Sequence, residues 1–312
     1  MKKWLIGCGL ILSIPVLLVA GLFVAMLIMA PGNSRVDSPT DFSKSALRAS
    51  PPAPLARPIT LKIVTFNIQD TWVVGFNRPE RMAKIAKVLT KLDPDLVGFQ
   101  ESFIDEDRKI LVEGLGASRL HHQQYFPSAT GGSGLFLMSA FPIKEAYFHR
   151  YTQSNPWYKF WEGDWWAGKG VGMVRVELPD NGGYLDFYNT HVQANYGIAR
   201  YRLIRGAQLL EMAQFINDTR TGTSPAFLVG DMNTHMGSDE MNAALAKCGL
   251  QRLMNLESRI DHIFSVQDPH HTFEVLDTLC ITKKWPEGAE TWSLSDHNGY
   301  MSTIRVTPVQ GK

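Results

Sequence analysis

Apolar residues are distributed along this chain in two regimes. From Trp4 to Ala30 the run WLIGCGLILSIPVLLVAGLFVAMLIMA carries no charge. About 20 apolar residues cross a hydrocarbon core of ~30 Å, and a secretory signal core holds only ~7–15. The run therefore predicts a retained single membrane span over residues 1–30. Bulky Ile28 and the following Pro31 argue against cleavage after Ala30. Lys2 and Lys3 favour a cytoplasmic N-terminus, opposed by Arg35, Lys44 and Arg48 beyond the span. The expected topology places the rest of the chain on the non-cytoplasmic side.

After this run the pattern changes. Residues 31–58, PGNSRVDSPTDFSKSALRASPPAPLARP, read as a flexible Pro/Ser-rich tether. From residue 59 to 312, apolar residues come in short strand-length bursts: LKIVTF (61–66), LVGF (96–99), GLFLMS (134–139), GMVRVEL (172–178), YLDFYN (184–189), AFLVG (226–230), RIDHIFS (259–265) and YMSTIRV (300–306). Met82, Ile85, Ala86 and Leu89 keep helical spacing after the start signals Asn77 and Pro79, as do Leu209, Met212, Ala213 and Ile216. A hairpin-like pair (172–178 and 184–189 around PDNGG) occurs alongside strand–helix alternation. The mixture predicts one α/β domain with two packed sheets flanked by helices.

Composition adds little: 45% hydrophobic and 20% charged residues fit an ordinary folded domain. The formal net charge of +1, from 31 Lys+Arg against 30 Asp+Glu, argues against a polyanion as the main partner. Cys8, Cys248 and Cys280 show no metal-ligand spacing; Cys248 and Cys280 read as a disulfide pair or as buried small residues.

The chemistry lies where the bursts end. IVTFNIQ reaches Asn67, DLVGFQES Glu101, FYNTH Asn189 and His191, and FLVGDMN Asp231 and Asn233; RIDHIF carries Asp261, and SLSDHNGY puts Asp296 and His297 before the last burst. A lone Asp or Asn at a strand end is usually a turn residue. Six such endings from Asn, Glu, Asp and His form a site, because strand ends at one sheet edge converge. Oxygen donors without cysteine suit Mg²⁺, with Mn²⁺ as the alternative. A His with an Asp partner suits proton transfer, and Asn and His suit a phosphate that gains charge. Together they describe metal-assisted hydrolysis of a phosphate ester.

In this order, Asn67, QES, NTH, GDMN, RID and SDH resemble the exonuclease–endonuclease–phosphatase superfamily, over essentially all of residues 60–308. The resemblance implies a four-layer α/β sandwich. It implies Glu101 as principal Mg²⁺ ligand with Asn67 beside it and Asp296 near the metal or its waters. It further implies His297 as general base oriented by Asp261, Asp231 positioning water or sharing the base role, and Asn233 and His191 on the phosphate oxygens. The segments around GGSGLFLMSAFPIKEA and EGDWWAGKGVGMVRVEL are similar to the membrane-bound neutral sphingomyelinases of animals, where an Asp and a Lys five apart, here Asp164 and Lys169, occupy the same place. That similarity implies sphingomyelin cleavage to ceramide and phosphocholine, with Lys169 close to the phosphate. Many animal relatives carry their membrane segments elsewhere. The alternatives are a nuclease or other phosphoester hydrolase on the same fold, which calls for a basic groove beside His191 and Asn233, and a non-catalytic tethered binding protein, which the complete set of endings disfavours. The stretch NPWYKFWEGDWWAGKG reads as a partly packed loop or as an interfacial rim. In the second reading Trp157, Trp161, Trp165 and Trp166 rest on lipid, with Trp165 and Trp166 near a choline group.

Overall fold

The computed structural model describes residues 17–22, 24, 42–128, 131–156, 158–159 and 161–309. Most of the expected membrane span, the tether up to residue 41, and Trp157 lie outside the described residues. Residues 17–22 are helical, and among the described residues no helix is long and apolar enough to cross a membrane.

Among the described residues, fourteen strands follow one another as β1 (Ile59–Asp70), β2 (Leu96–Ser102), β3 (His122–Tyr125), β4 (Phe136–Ser139), β5 (Ile143–Arg150), β6 (Gly170–Glu177) and β7 (Tyr184–His191), then β8 (Ala226–Asp231), β9 (Leu250–Arg252), β10 (Asp261–Val266), β11 (His271–Ile281), β12 (Lys284–Glu287), β13 (Glu290–Ser293) and β14 (Gly299–Pro308). They form two mixed six-stranded sheets, ordered β11-β14-β1-β2-β4-β3 and β5-β6-β7-β8-β10-β9, with β12 and β13 as a separate hairpin. Leu61, Ile63, Leu96 and Leu137 of the first sheet face Val174, Phe187, Phe227 and Val229 of the second. Helices Arg78–Leu92 and Asp105–Gly114 cover the outer face of the first sheet through Met82, Ile85, Leu89 and Leu111. Helices Ala199–Thr219 and Asp239–Cys248 cover the second through Leu209, Met212, Ile216 and Met241. Helix, sheet, sheet and helix make the sandwich that the pattern predicts.

All eight expected strands are present. The apolar pattern does not announce β3, β5, β9, β11, β12 or β13. β11 is an edge strand whose side chains alternate between exposed and covered, so its apolar content is too low to register as a burst.

Residues 42–58 depart from the tether expectation. Phe42 packs edge-on against Tyr147 and Phe215 at 6.3 and 6.1 Å. Ser45 Oγ donates to Glu145 Oε1 at 2.7 Å, and Leu55 joins the core between the sheets. Glu145 in turn pairs with the buried Arg175, which Asp186 holds from the other side at 2.7 Å. A segment that offers two apolar anchors and a hydroxyl to a buried ionic network is fixed to the domain despite its composition.

Candidate active site

Strand register assembles the site. His191, at the end of β7, pairs with Asp231, at the end of β8, and Asp231 pairs across the antiparallel ladder with Asp261, at the start of β10. In the other sheet Asn67 on β1 is level with Gln100 on β2, next to Glu101, and β14 starts just after Asp296 and His297. All six endings therefore meet at one end of the sandwich. The sheets come close there: a Cβ on Gly98 would lie 2.3 Å from Val229 Cγ2 of the opposite sheet. Only a residue without a side chain fits at that crossing.

Asn67 bridges the two halves. Its Nδ2 donates to Glu101 Oε1 at 2.9 Å and to Asp231 Oδ2 at 3.2 Å. Asp231 Oδ1 accepts from the Asn233 backbone N–H at 2.8 Å. His297 turns Nδ1 to Asp261 at 3.1 Å, leaving Nε2 towards Asp231 at 3.8 Å. Asp296 is exposed at the rim and accepts from Gln69 Nε2 at 3.0 Å. Asn233 Nδ2 donates to Val192 O at 3.1 Å. Asn189 serves the scaffold instead. It accepts from Gln100 Nε2 at 2.7 Å and donates to Phe99 O at 2.8 Å, joining the two sheets below the site.

Lys169 lines the cavity, but its ammonium is fully engaged, with Val192 O at 2.7 Å, Asp164 Oδ1 at 2.8 Å and His191 Nε2 at 3.0 Å. Three partners use the three protons of an ammonium. Because Lys169 donates to Nε2, His191 carries its proton on Nδ1, which is buried and has no hydrogen-bond partner among the described residues. Asp164 is tied down by Gln193 Nε2 at 2.7 Å and the Ala194 N–H at 2.6 Å.

The charge balance favours a cation. Burial raises Glu101 above the usual carboxylate range, against the hydrogen bond from Asn67 and the charge of Lys169. Burial and the charge of Asp261 raise Asp231 to about 7. Burial alone lowers His297, but the Asp261 hydrogen bond and the charges of Asp261, Asp231 and Asp296 outweigh it and raise the imidazole to about 10. Burial, Lys169 and His297 push His191 well below its ordinary value, so it is neutral. Glu101 forms no ion pair with a cationic side chain among the described residues. A desolvated carboxylate with an amide oxygen nearby fits an oxygen-preferring divalent ion. Asp231, Asp261 and His297 place one ligand atom each within 4.8 Å of one another and form a second donor set. There His297 Nδ1 is already committed to Asp261, which suits proton transfer better than ligation. Glu101, Gln69 and Asn233 take left-handed φ values of 56°, 49° and 46°, a cost of roughly 1–3 kcal/mol each that the surrounding structure sustains at functional sites.

Above these groups opens a cavity of about 760 Å³, whose other wall is Trp72, Val73, Val74, Phe103, Trp161, Trp166 and Tyr196. Val73 is 93% exposed, Trp161 64% and Trp72 58%. Trp166 lines the cavity, whereas Trp165, packed edge-on against it at 4.9 Å, does not. The residues that sequence reasoning missed are Gln69 and the loop 71–76. Their signal was an uncharged TWVVGF directly after a strand end.

The sequence pattern of the Endonuclease/Exonuclease/phosphatase family matches residues 64–297. The chain belongs to this family. A candidate neutral sphingomyelinase of Drosophila melanogaster is 30% identical over 276 residues, which cover 80% of this chain and 61% of that protein. Sphingomyelin phosphodiesterase 2 of Rattus norvegicus is 34% identical over 179 residues, 57% of this chain and 42% of that protein. The match thus spans less than two thirds of either relative's length. Among solved structures, a Staphylococcus aureus beta toxin variant with bound magnesium ions superposes with a TM-score of 0.62 at 19% identity, over 78% of this chain and 99% of the toxin. That likeness concerns the fold.

Proposed function

We propose that this chain is a Mg²⁺-dependent phosphodiesterase that cleaves sphingomyelin in the phospholipase C manner, releasing ceramide and phosphocholine. One observation carries the substrate choice: Glu101, His191, Asp231, Asn233 and His297 line one wall of a cavity whose other wall and rim carry exposed apolar side chains. A soluble substrate has no use for Val73 or Trp161 in water, whereas a lipid surface does. Relatives named for sphingomyelin cleavage support the same reading. The nuclease alternative asks for a basic groove, and the cavity is lined by one Lys, no Arg and several carboxylates. That one Lys is already neutralised by Asp164.

Glu101 and Asn67 would hold the Mg²⁺, with Asp296 at the rim reaching its waters. Bound there, the ion supplies positive charge to the phosphate and the departing oxygen. The chain's own residues do the rest. Asn67 joins Glu101 to Asp231 and so sets the distance between the ligand and the proton-transfer group. Asp261 fixes the His297 ring so that Nε2 faces the cavity beside Asp231. The Asp231–His297 pair receives the proton of the attacking water: the positive charge of an ion held at Glu101 would favour the neutral imidazole that His297 needs as the base, and Asp231 orients the water or shares the base role. Asn233 offers its side-chain amide to the non-bridging oxygens, and the neutral His191 ring lies beside them with Nε2 on the side of Lys169 and Asp231. The apolar rim beside Trp161 and Trp166 seats the lipid, with Trp166 next to the choline. The membrane span expected at residues 1–30 would hold the domain at such a surface.

The deciding experiment is headgroup release from vesicles of defined lipids with Mg²⁺, with plasmid DNA as control. Phosphocholine release from sphingomyelin supports the reading. Cleavage of DNA with no action on sphingomyelin overturns it.

A further inference from the structure

Arg81 is 2% exposed, on the inner face of the helix Arg78–Leu92, and makes no ion pair among the described residues. Its guanidinium is instead satisfied by backbone carbonyls. Nη1 donates to Ile68 O and Leu294 O, both at 2.7 Å. Nη2 donates to Gln69 O and Nε to Phe76 O, both at 2.8 Å, and the Phe76 ring lies 5.0 Å from the charge. These four acceptors belong to three segments with nothing in common in sequence. Ile68 and Gln69 follow Asn67. Phe76 closes the exposed apolar loop 71–76. Leu294 leads into Ser295, Asp296 and His297.

The segments also grip one another. Ser295 Oγ donates to Asn67 O at 2.7 Å and receives the His297 N–H at 3.2 Å, while Gln69 reaches Asp296. At the far end of the loop Arg78 holds Asp107 at 2.9 Å, and Gly75 N–H closes on Thr71 O at 3.2 Å. The guanidinium is therefore the shared fixed point of the loop, the Asn67 segment and the His297 segment. A lysine cannot replace it: three donors on one nitrogen do not match a planar fork that reaches four carbonyls.

We propose that Arg81 is a positioning residue that locks the apolar loop 71–76 and the two segments carrying Asn67 and His297 into one unit. Seating the loop on lipid and aligning the proton-transfer pair thereby become a single mechanical event. The inference rests on the phosphodiesterase reading of the site.

The test uses the full chain with Arg81→Lys and Arg81→Met, the soluble diester bis(4-nitrophenyl) phosphate with Mg²⁺, and amide hydrogen exchange. In a folded Arg81→Lys protein, kcat falls ~10–100-fold while KM stays within about twofold, the pattern of lost alignment rather than lost binding. Exchange accelerates at 67–77 and 294–297 together and is unchanged in the helix Ala199–Thr219. A folded variant with wild-type kcat, or exchange that quickens evenly throughout the protein, overturns the proposal. If neither variant folds, the wild type decides: amides of 68–77 and 294–297 must open as one unit, and unrelated opening rates reject the idea. Absence of diester turnover by the wild type removes the phosphodiesterase reading and leaves exchange to judge Arg81.

Discussion

His297 Nδ1 lies 3.1 Å from Asp261 Oδ2, and this contact fixes which ring nitrogen faces the cavity. In the proposed mechanism the imidazole exchanges its proton through Nε2, on the side of Asp231. Replacing Asp261 by Asn keeps the shape but removes the charge that holds this tautomer. Turnover on sphingomyelin vesicles is expected to drop ~10²–10⁴-fold, with an unchanged melting curve as the control. His297→Ala and Asp231→Ala are expected to lose at least as much. Near-wild-type turnover in any of the three would remove that residue from the mechanism.

Lys169 and Asp164 form a buried pair at 2.8 Å. Lys169→Ala leaves the Asp164 carboxylate without its cation and His191 without its donor. Breaking such a pair typically costs about 3–5 kcal/mol. Urea unfolding at neutral pH is expected to show a loss of this order, and activity to fall with it. A fully stable Lys169→Ala protein would show that the pair is not what holds the Gly163–Lys169 segment in place.

The apolar rim makes a separable prediction. Trp72→Ser and Val73→Ser together remove two exposed side chains, each worth ~1.5–3 kcal/mol when buried. Vesicle sedimentation is expected to show at least about tenfold weaker binding, with hydrolysis of a soluble diester unaffected. Trp161→Ala is expected to act in the same direction. Trp165→Ala is expected to lower stability rather than vesicle binding, because Trp165 packs on Trp166 and does not line the cavity. Equal vesicle binding by wild type and the double variant would assign the loop another role.

Mg²⁺ is expected to stabilise the protein even without substrate, because it relieves the desolvated Glu101. Binding to the folded state alone raises stability by about 2.7 kcal/mol at 100 times the dissociation constant. A rise in melting temperature with Mg²⁺ should appear in the wild type, be reproduced by Mn²⁺, and vanish in Glu101→Gln. A variant that keeps the full Mg²⁺ response would move the metal site to the Asp231, Asp261 and His297 cluster.

Acid sensitivity has an identifiable source away from the site. Burial alone raises Glu240, but its own backbone N–H, Arg205, Arg202 and Thr234 outweigh it and bring the carboxyl to about 2. A folded-state value below the unfolded one means stability that is full above about 4.5 and is lost as the pH falls towards 2. Solvent around the half-exposed Arg202 screens part of this, which leaves an effect on the order of 1–2 kcal/mol. The stability gap between wild type and Glu240→Gln should be wide at pH 6 and close near pH 2. A gap independent of pH would show that the Arg205 and Arg202 contacts contribute little.

The sequence reveals the site more readily than the surface around it. Asn67, Glu101, His191, Asp231, Asp261 and His297 are recognisable because each interrupts an apolar burst, and register then brings the bursts together. Asn189 interrupts a burst in the same way and yet joins the sheets, a difference visible only once Gln100 and Phe99 are placed beside it. Arg81 is unreadable for the opposite reason. A charged residue near a helix start looks solvated, and its four carbonyl partners lie up to 213 positions away. Residues 42–58 misled through composition, since Phe42, Ser45 and Leu55 find their partners in distant strands.

Gly98 has a consequence for how this centre can change. Its missing methyl group lets Val229 of the opposite sheet approach, a few residues along the strands from Glu101 and Asp231. The closeness of the two sheets beneath the candidate site is thus gauged by a spacer of zero thickness. Any larger residue at position 98 would act as a shim, prising the two sheets apart beneath the candidate site while leaving every one of its residues in the sequence.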